Sequence, residues 1–396
     1  MVLSRLTAAA LSVLMLGGTF AGATSYNKFV EKKQAEKEEK IGYYREIAKR
    51  ESDWILSLQQ DNGAVLMYKP SKEGSGHLNP YFACEAMLGV ISDGDPAHVE
   101  AAGRYLKWHT KALIKEDGFI SDYKMENGKL KSQQDGDSFD SYAAYYLLLF
   151  TEYVEKGGDL KAIGDYRKAI VLLASGFDEV LLHGVTYVRN NYRIAYLMDN
   201  TEVWEGLKRA GTLLTTDPQF AREYRLLSAG EKFLDIADSV KNAIEERYWL
   251  KEEDVYTIGL KKSGEVFGTP DFNEFYPDAV AQLYPAIMHV RTVGGREKRL
   301  YEQVCRYHDW EHDNIEGATF HWTVMAYAAA VHADQERLDT YLEVYDTIVS
   351  ESRSYPLHTA TAGWIARACN LMADSIDNEK DTGFFKYIEW LIGVPQ

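Results

Sequence analysis

The stretch that decides the fold is Tyr142-Ala143-Ala144-Tyr145-Tyr146-Leu147-Leu148-Leu149. As a helix it is apolar on every side, and such a helix must be buried on every side. Met325-Ala326-Tyr327-Ala328-Ala329-Ala330-Val331 repeats the pattern. Val99-Glu100-Ala101-Ala102-Gly103-Arg104-Tyr105-Leu106-Lys107-Trp108 shows a second kind of helix, with its charges on one face. The two kinds alternate through twelve predicted helices: 41–60, 79–91, 95–114, 137–156, 160–181, 199–214, 221–247, 274–290, 295–310, 318–333, 336–352 and 357–373. Odd-numbered segments are amphipathic and even-numbered ones apolar nearly all round. Six buried helices alternating with six half-exposed ones predict an all-α fold, an (α/α)6 toroid of twelve helices in two concentric rings. Extended pieces near 65–68, 120–123 and 256–260 read as hairpins within loops.

The ends of the chain read differently. Arg5 precedes an apolar run, Leu6 to Phe20, and Ala21-Gly22-Ala23 is a small-x-small cleavage triplet. This predicts a signal peptide over 1–23 and a secreted or cell-envelope protein, with an uncleaved signal anchor as the alternative. A Lys- and Glu-rich run follows, giving a charged helical spacer over 24–40, then the toroid domain over 41–373 and a C-terminal tail over 374–396. No other segment is apolar and long enough to span a membrane. A net charge of −16 argues against nucleic acid and anionic membrane surfaces as partners. Cys84, Cys305 and Cys369 are too few and too scattered for a disulfide framework or a zinc site, and read as buried side chains. A monomer is expected.

Connections entering four of the even helices are long: 61–78, 115–136, 182–198 and 248–273. Long loops in a compact domain are usually functional. The alternation places them all on the face that holds the inner-helix N-termini. Pro80, Pro277 and Pro356 sit in first turns, where proline is favoured. The same face collects acids. Asp137 and Asp140 are three apart at the fourth helix, Asp199 and Glu202 repeat that spacing at the sixth, and Glu274 and Asp278 are four apart at the eighth. Residues so spaced share a helix face. Capping accounts for any one of them, and Asp199-Asn200-Thr201-Glu202 resembles a capping box. Three pairs on one rim also suit hydrolysis of a glycosidic bond, which needs one protonated and one charged carboxyl. Trp204, Trp322 and Trp364, with Tyr81, Tyr142 and Tyr276, are candidates for stacking on sugar rings or for core packing. His321 and His358 begin inner helices. Asp135-Gly136-Asp137-Ser138-Phe139-Asp140 has the acids of a calcium loop without its full spacing or twelfth-position Glu. No metal or other cofactor is expected.

These stretches carry a resemblance. Trp54-Ile55-Leu56-Ser57-Leu58-Gln59 with Asp61-Asn62-Gly63, Asn79-Pro80-Tyr81-Phe82, Asp137-Ser138-Phe139-Asp140-Ser141-Tyr142-Ala143-Ala144, Asp199-Asn200-Thr201-Glu202-Val203-Trp204 and Phe275-Tyr276-Pro277-Asp278 resemble bacterial members of the six-hairpin glycosidase superfamily. Asp135-Gly136-Asp137 is similar to the Asp-Gly-Asp of family-8 glycoside hydrolases, which carry an apolar residue where this chain has Asp140. The resemblance implies a glycoside hydrolase acting on an extracellular or cell-envelope polysaccharide, with inversion at the anomeric carbon. Its catalytic carboxyls would come from Asp137, Asp140, Asp199, Glu202 and Asp278. Substrate would lie on Tyr81, Phe82, Tyr142, Trp204, Tyr276, His321, Trp322, His358 and Trp364. The alternatives are a non-catalytic glycan-binding or assembly protein on the same fold, and a polysaccharide lyase. The acidic balance speaks against a lyase, which needs a basic groove for its uronic acid.

Overall fold

The computed structural model describes residues 2–378 apart from 73, 134, 135, 291 and 293, and for 2–27 and 29 it describes the backbone alone. Two compact units emerge: the described residues before Ile47 together with those after Leu371, and Ile47–Leu371. In the first unit the charged run is part of one continuous helix, α1 (Val2–Ser57). Arg45 pairs there with Asp374, and Lys37 Nζ donates to the Asp377 carbonyl at 2.7 Å. The tail expected over 374–396 lies outside the described residues from 379 on. Among the described residues, no helix is long and apolar enough to cross a membrane.

The second unit holds the toroid. After α1 come α2 (Pro80–Ile91), α3 (Pro96–Lys115), α4 (Asp140–Glu155), α5 (Tyr166–Val180), α6 (Leu197–Thr216) and α7 (Tyr224–Ala243). Then follow α8, in two pieces (Phe275–Ala279 and Tyr284–Ile287), α9 (Arg296–Tyr307), α10 (Val324–Val331), α11 (Gln335–Glu351) and α12 (Thr359–Asn378). Even-numbered helices form the inner ring. Neighbours α2 and α4, α4 and α6, α6 and α8, and α8 and α10 pack together. Tyr327 of α10 meets Trp364 of α12, centroids 5.2 Å apart. The ring closes where α12 returns to α2: a Cβ added to Gly89 would lie 2.5 Å from Gly363 Cα. A Cβ on Gly206 of α6 would likewise lie 2.5 Å from the Ala144 carbonyl of α4. Two of the inner-ring contacts are therefore made backbone to backbone, which only glycine permits.

The outer ring is stitched by polar contacts. Gln59 Nε2, just past α1, donates to Ala101 O of α3 at 2.9 Å. Lys232 of α7 pairs with Asp178 of α5, and Tyr301 Oη of α9 donates to Asp334, the cap of α11, at 3.1 Å. Tyr345 Oη of α11 donates to Glu51 of α1 at 2.9 Å, and Arg353 grips the same buried carboxylate at 2.7 and 2.8 Å.

Helix starts follow local chemistry. Asn79 caps α2 by accepting from Phe82 N, and Asp95 caps α3 by accepting from Ala97 N, each followed by proline at the first helical position. Pro356 precedes α12 rather than sitting in its first turn. The single helix predicted over 274–290 is instead broken: a π-helical turn at Phe275–Ala279 contains Tyr276 in an extended conformation (φ −118°, ψ 127°), and Pro285 opens the second piece. All three cysteines are free thiols, with Cys84 and Cys369 buried and Cys305 partly so.

The loop strands do not form isolated hairpins alone. β1 (Gly76–Leu78), β2 (Tyr123–Glu126) and β3 (Lys129–Ser132) make one antiparallel sheet joining loops 61–78 and 115–136, with Leu78 opposite Tyr123. β4 (Leu181–Leu182) pairs with β5 (Val185–Thr186), and β7 (Trp249–Leu250) with β8 (Val255–Tyr256). β6 (Ile194–Tyr196) pairs with β9 (Gly259–Lys261), joining loops 182–198 and 248–273 with Tyr196 opposite Gly259. Arg189 Nη1 donates to the Gly136 carbonyl at 2.9 Å, tying the two pairs of loops together.

Candidate active site

Asp199 belongs to the N-terminus of inner helix α6. Because α6 starts at Leu197, Asp199 falls inside the first turn instead of capping it, and the cap residue, Tyr196, makes no side-chain bond to the helix's first N–H groups. Glu202 does not close a capping box either. Its Oε1 accepts a 2.7 Å hydrogen bond from Tyr81 Oη of α2, and its Oε2 has no partner. Both carboxyls are thus turned into the ring.

The acids differ in exposure and in proton affinity. Asp199 is partly exposed, yet the protein around it desolvates it. Burial first, then the charges of Asp140 and Asp137, push its pKa well above the ordinary aspartate range. Glu202, 3% exposed, is raised by burial and by Asp199, against the Tyr81 hydrogen bond. Asp140 is wholly buried. Its Oδ1 accepts from Ser138 Oγ at 2.6 Å and Ser141 N at 3.0 Å, while Oδ2 has no partner. Burial raises Asp140 too. Asp137 is exposed, in the segment leading into α4. Gly136 before it packs so tightly under the Ile120 carbonyl that a Cβ would collide with it. That packing and the Arg189 bond fix where Asp137 sits. Charges crowded into a partly dry space compete for protons and titrate as a group, which keeps some of them protonated.

Asp278 does not join this group. The charges acting on it are those of Asp271 and Glu274 in the preceding loop. Tyr276 is the residue of that turn that meets the acid group: it is 58% exposed, and burial first, then the Asp199, Asp137 and Glu202 carboxyls, raise its hydroxyl pKa.

The aromatic candidates divide in the same way. Tyr276 stacks on Trp322 (5.1 Å, 30°), and both keep exposed surface. Tyr81 stacks on Tyr142 (5.6 Å), whose hydroxyl accepts from Asn79 Nδ2 at 2.5 Å and donates to Asp122 at 3.2 Å. Trp364 is 5% exposed and packs on Tyr327 and under Arg367, so it is core. Trp204 is half-buried with no partner for its indole N–H. His321 and Trp322 precede α10 instead of opening it, and His321 Nδ1 meets Asp313 Oδ2 at 2.7 Å. His358 is buried against Phe82, ring centroids 4.7 Å apart, and burial lowers its pKa to about 4, leaving it neutral.

One acid escaped the sequence reading. Glu85, 3% exposed in mid-α2, adds its charge to those raising Glu202, and burial raises its own carboxyl to about 8. A lone acid in an otherwise apolar helix was the available signal. Among the described residues, no group of three or more His, Cys, Asp or Glu side chains is placed to hold a metal ion. Asp135 lies outside the described residues.

No protein-family model matches the chain and no characterised relative is found by sequence. Solved structures do match. The chain is similar to a glycosidase solved in complex with glucose (TM-score 0.55, 12% identity, covering 85% of this chain and 98% of that one). It is also similar to an unsaturated glucuronyl hydrolase specific for heparin (0.52, 11%, 84% and 98%). A β-1,3-1,4-glucanase from Paenibacillus sp. X4 gives a comparable match (0.52, 12%, 84% and 92%). At such identities the likeness concerns the backbone, and with the closed inner ring it establishes an (α/α)6 toroid as the fold of this chain.

Proposed function

We propose that this protein is an exported glycoside hydrolase that cleaves an extracellular or cell-envelope polysaccharide. The observation that carries the reading is Asp199: a carboxyl within reach of solvent, with raised proton affinity, on a different element from exposed Asp137. A general acid for glycoside cleavage must hold a proton near neutral pH and still touch the leaving oxygen. Asp199 meets both requirements. Asp140 and Glu202 are buried away from substrate, and the charge of Asp140 is one of those that raise Asp199. Asp137 is assigned as the base that activates water across the site, and this reading is of an inverting enzyme. Inverting carboxyls stand about 6.5–9.5 Å apart and retaining ones about 5–5.5 Å. Tyr276 and Trp322 supply the surface on which the sugar ring lies. The toroid shared with glycoside hydrolases supports the reaction class, and the segment ending at Ala21-Gly22-Ala23 supports export.

The test is release of reducing sugar from a panel of neutral and acidic polysaccharides, with absorbance near 235 nm followed for the unsaturated products of a lyase. Asp199→Asn should lower the rate by about 10²–10⁴ at unchanged melting temperature. NMR of the first product should show inverted anomeric configuration. Hydrolysis that survives Asp199→Asn would remove the assignment, and absorbance at 235 nm would replace the reaction class. Intact-mass analysis of secreted protein tests cleavage after Ala23.

A further inference from the structure

Beside the acids, the strand pair β6–β9 carries a second aromatic surface. Tyr196 ends β6 and lies three residues before Asp199. Its partner in the ladder is Gly259, which has no side chain. The chain turns back after β9 through a tight loop in which Lys261 N donates to Glu265 O at 2.8 Å and Val266 bridges to Leu260. Phe267 N then donates to Gly259 O at 3.1 Å. The Phe267 ring occupies the room that Gly259 leaves: a Cβ there would come within 2.8 Å of Phe267 Cδ2. The Phe267 and Tyr196 rings therefore lie nearly parallel, 11° apart, with centroids 6.3 Å apart. That separation excludes a close face-to-face sandwich, so the two rings are offset from one another. Tyr192 extends the patch, its hydroxyl 3.3 Å from that of Tyr196.

This surface is open. Phe267 is 41% and Tyr192 44% exposed. Single exposed apolar side chains are ordinary, but adjoining ones held in register by a strand pair mark a binding surface. It is continuous with the acid group. The Tyr196 hydroxyl is close enough to Asp199 and Tyr276 for both to act on it, and Tyr276 begins the Tyr276–Trp322 stack.

We propose that Phe267 and Tyr196 form a second glycan subsite, adjoining the acid group, that stacks an uncharged pyranose unit of the same chain whose neighbouring unit lies on Tyr276 and Trp322. The occupant follows from chemistry. Flat apolar rings offer their faces to the C–H faces of sugar rings, and the carboxylate of the base Asp137, close enough to act on Tyr276, disfavours a uronic acid. The subsite rests on the reading of this face as a glycan site. It requires a substrate of at least two contiguous sugar units.

Affinity electrophoresis of the full chain in gels containing soluble starch, mixed-linkage β-glucan or polygalacturonate tests it without requiring turnover. The unmodified protein should be retarded by at least one of the neutral polymers. Phe267→Ala should weaken that retardation about 2- to 10-fold, and Phe267→Trp should restore it. Tyr224→Ala, which removes a ring 81% exposed at the start of α7, should change nothing. Equal retardation of Phe267→Ala and the unmodified protein, retardation by polygalacturonate alone, or none by any polymer would each overturn the subsite. Retardation that depends on Phe267, without sugar release, would uphold the subsite and overturn the hydrolase reading instead.

Discussion

Replacing Glu85 by Gln should stabilise the protein at pH 8 and change little at pH 5. Burial raises the Glu85 carboxyl from 4.5 to about 8, against the pull of Arg367 and of the Tyr145, Tyr81 and Trp364 side chains. In the unfolded chain the same group ionises near its ordinary value. Between the two values the folded state holds a proton that the unfolded state has released. Stability therefore falls as pH rises from about 4.5 to about 8 and levels off beyond. The whole shift corresponds to at most about 5 kcal/mol. Gln keeps the shape and cannot ionise, so the variant loses this pH-linked cost. Urea unfolding at pH 5, 6, 7 and 8 measures it as a midpoint difference at constant slope. The gap between variant and unmodified protein should open toward pH 8, in the variant's favour. The competing arrangement is an ionised Glu85 paired with Arg367. Gln would then leave a buried guanidinium uncompensated, at about 3–5 kcal/mol. Destabilisation of the variant by similar amounts at pH 5 and pH 8 would refute the reasoning.

Four further outcomes are expected. Asp140→Asn removes one of the charges that raise Asp199 while keeping an acceptor for Ser138 and Ser141, so the alkaline limb of kcat/KM should move down; an unmoved limb would mean that Asp140 does not act on Asp199. Tyr81→Phe takes away the donor to buried Glu202, whose second oxygen lacks a partner among the described residues, and should cost about 1–3 kcal/mol in chemical denaturation. Gly89→Ala drives a methyl into the Gly363 backbone, where no rotamer change can relieve it, and should cost about 1–3 kcal/mol or more. Gly42→Ala, which meets nothing within 4 Å in the helical interior, should raise stability by about 0.5–1 kcal/mol. Melting temperatures of the two glycine variants provide the comparison.

The rings were legible because burial leaves a compositional mark. α4 and α10 have no polar face to show, and α3 has one. The break in α8 was legible only in part: Pro285 stands inside the predicted span, where proline breaks a helix, whereas the extended Tyr276 shows only in its dihedral angles. That break decides which residue of the turn meets the acids, so Asp278 read as a site residue from spacing alone. Asp199 and Glu202 were found as a pair at a helix start. What separates them from caps is the true start of α6, two residues earlier than the pattern suggested, and boundaries are the least certain part of any such reading. Tyr196 and Phe267 were beyond reach. They meet because β6 pairs with a strand more than sixty residues away, and no local pattern encodes that partnership.

The same cross-loop pairing sets how this protein can be altered. β1 and β2 bind one loop to the next, β6 and β9 do so again, and Arg189 fastens one couple to the other. A loop transplanted alone from another toroid would arrive without its partner strand and leave a widowed edge. Grafts at this mouth have to be exchanged as couples, 61–78 with 115–136 and 182–198 with 248–273. Randomised libraries should vary the tips beyond the ladders and leave the paired rungs alone.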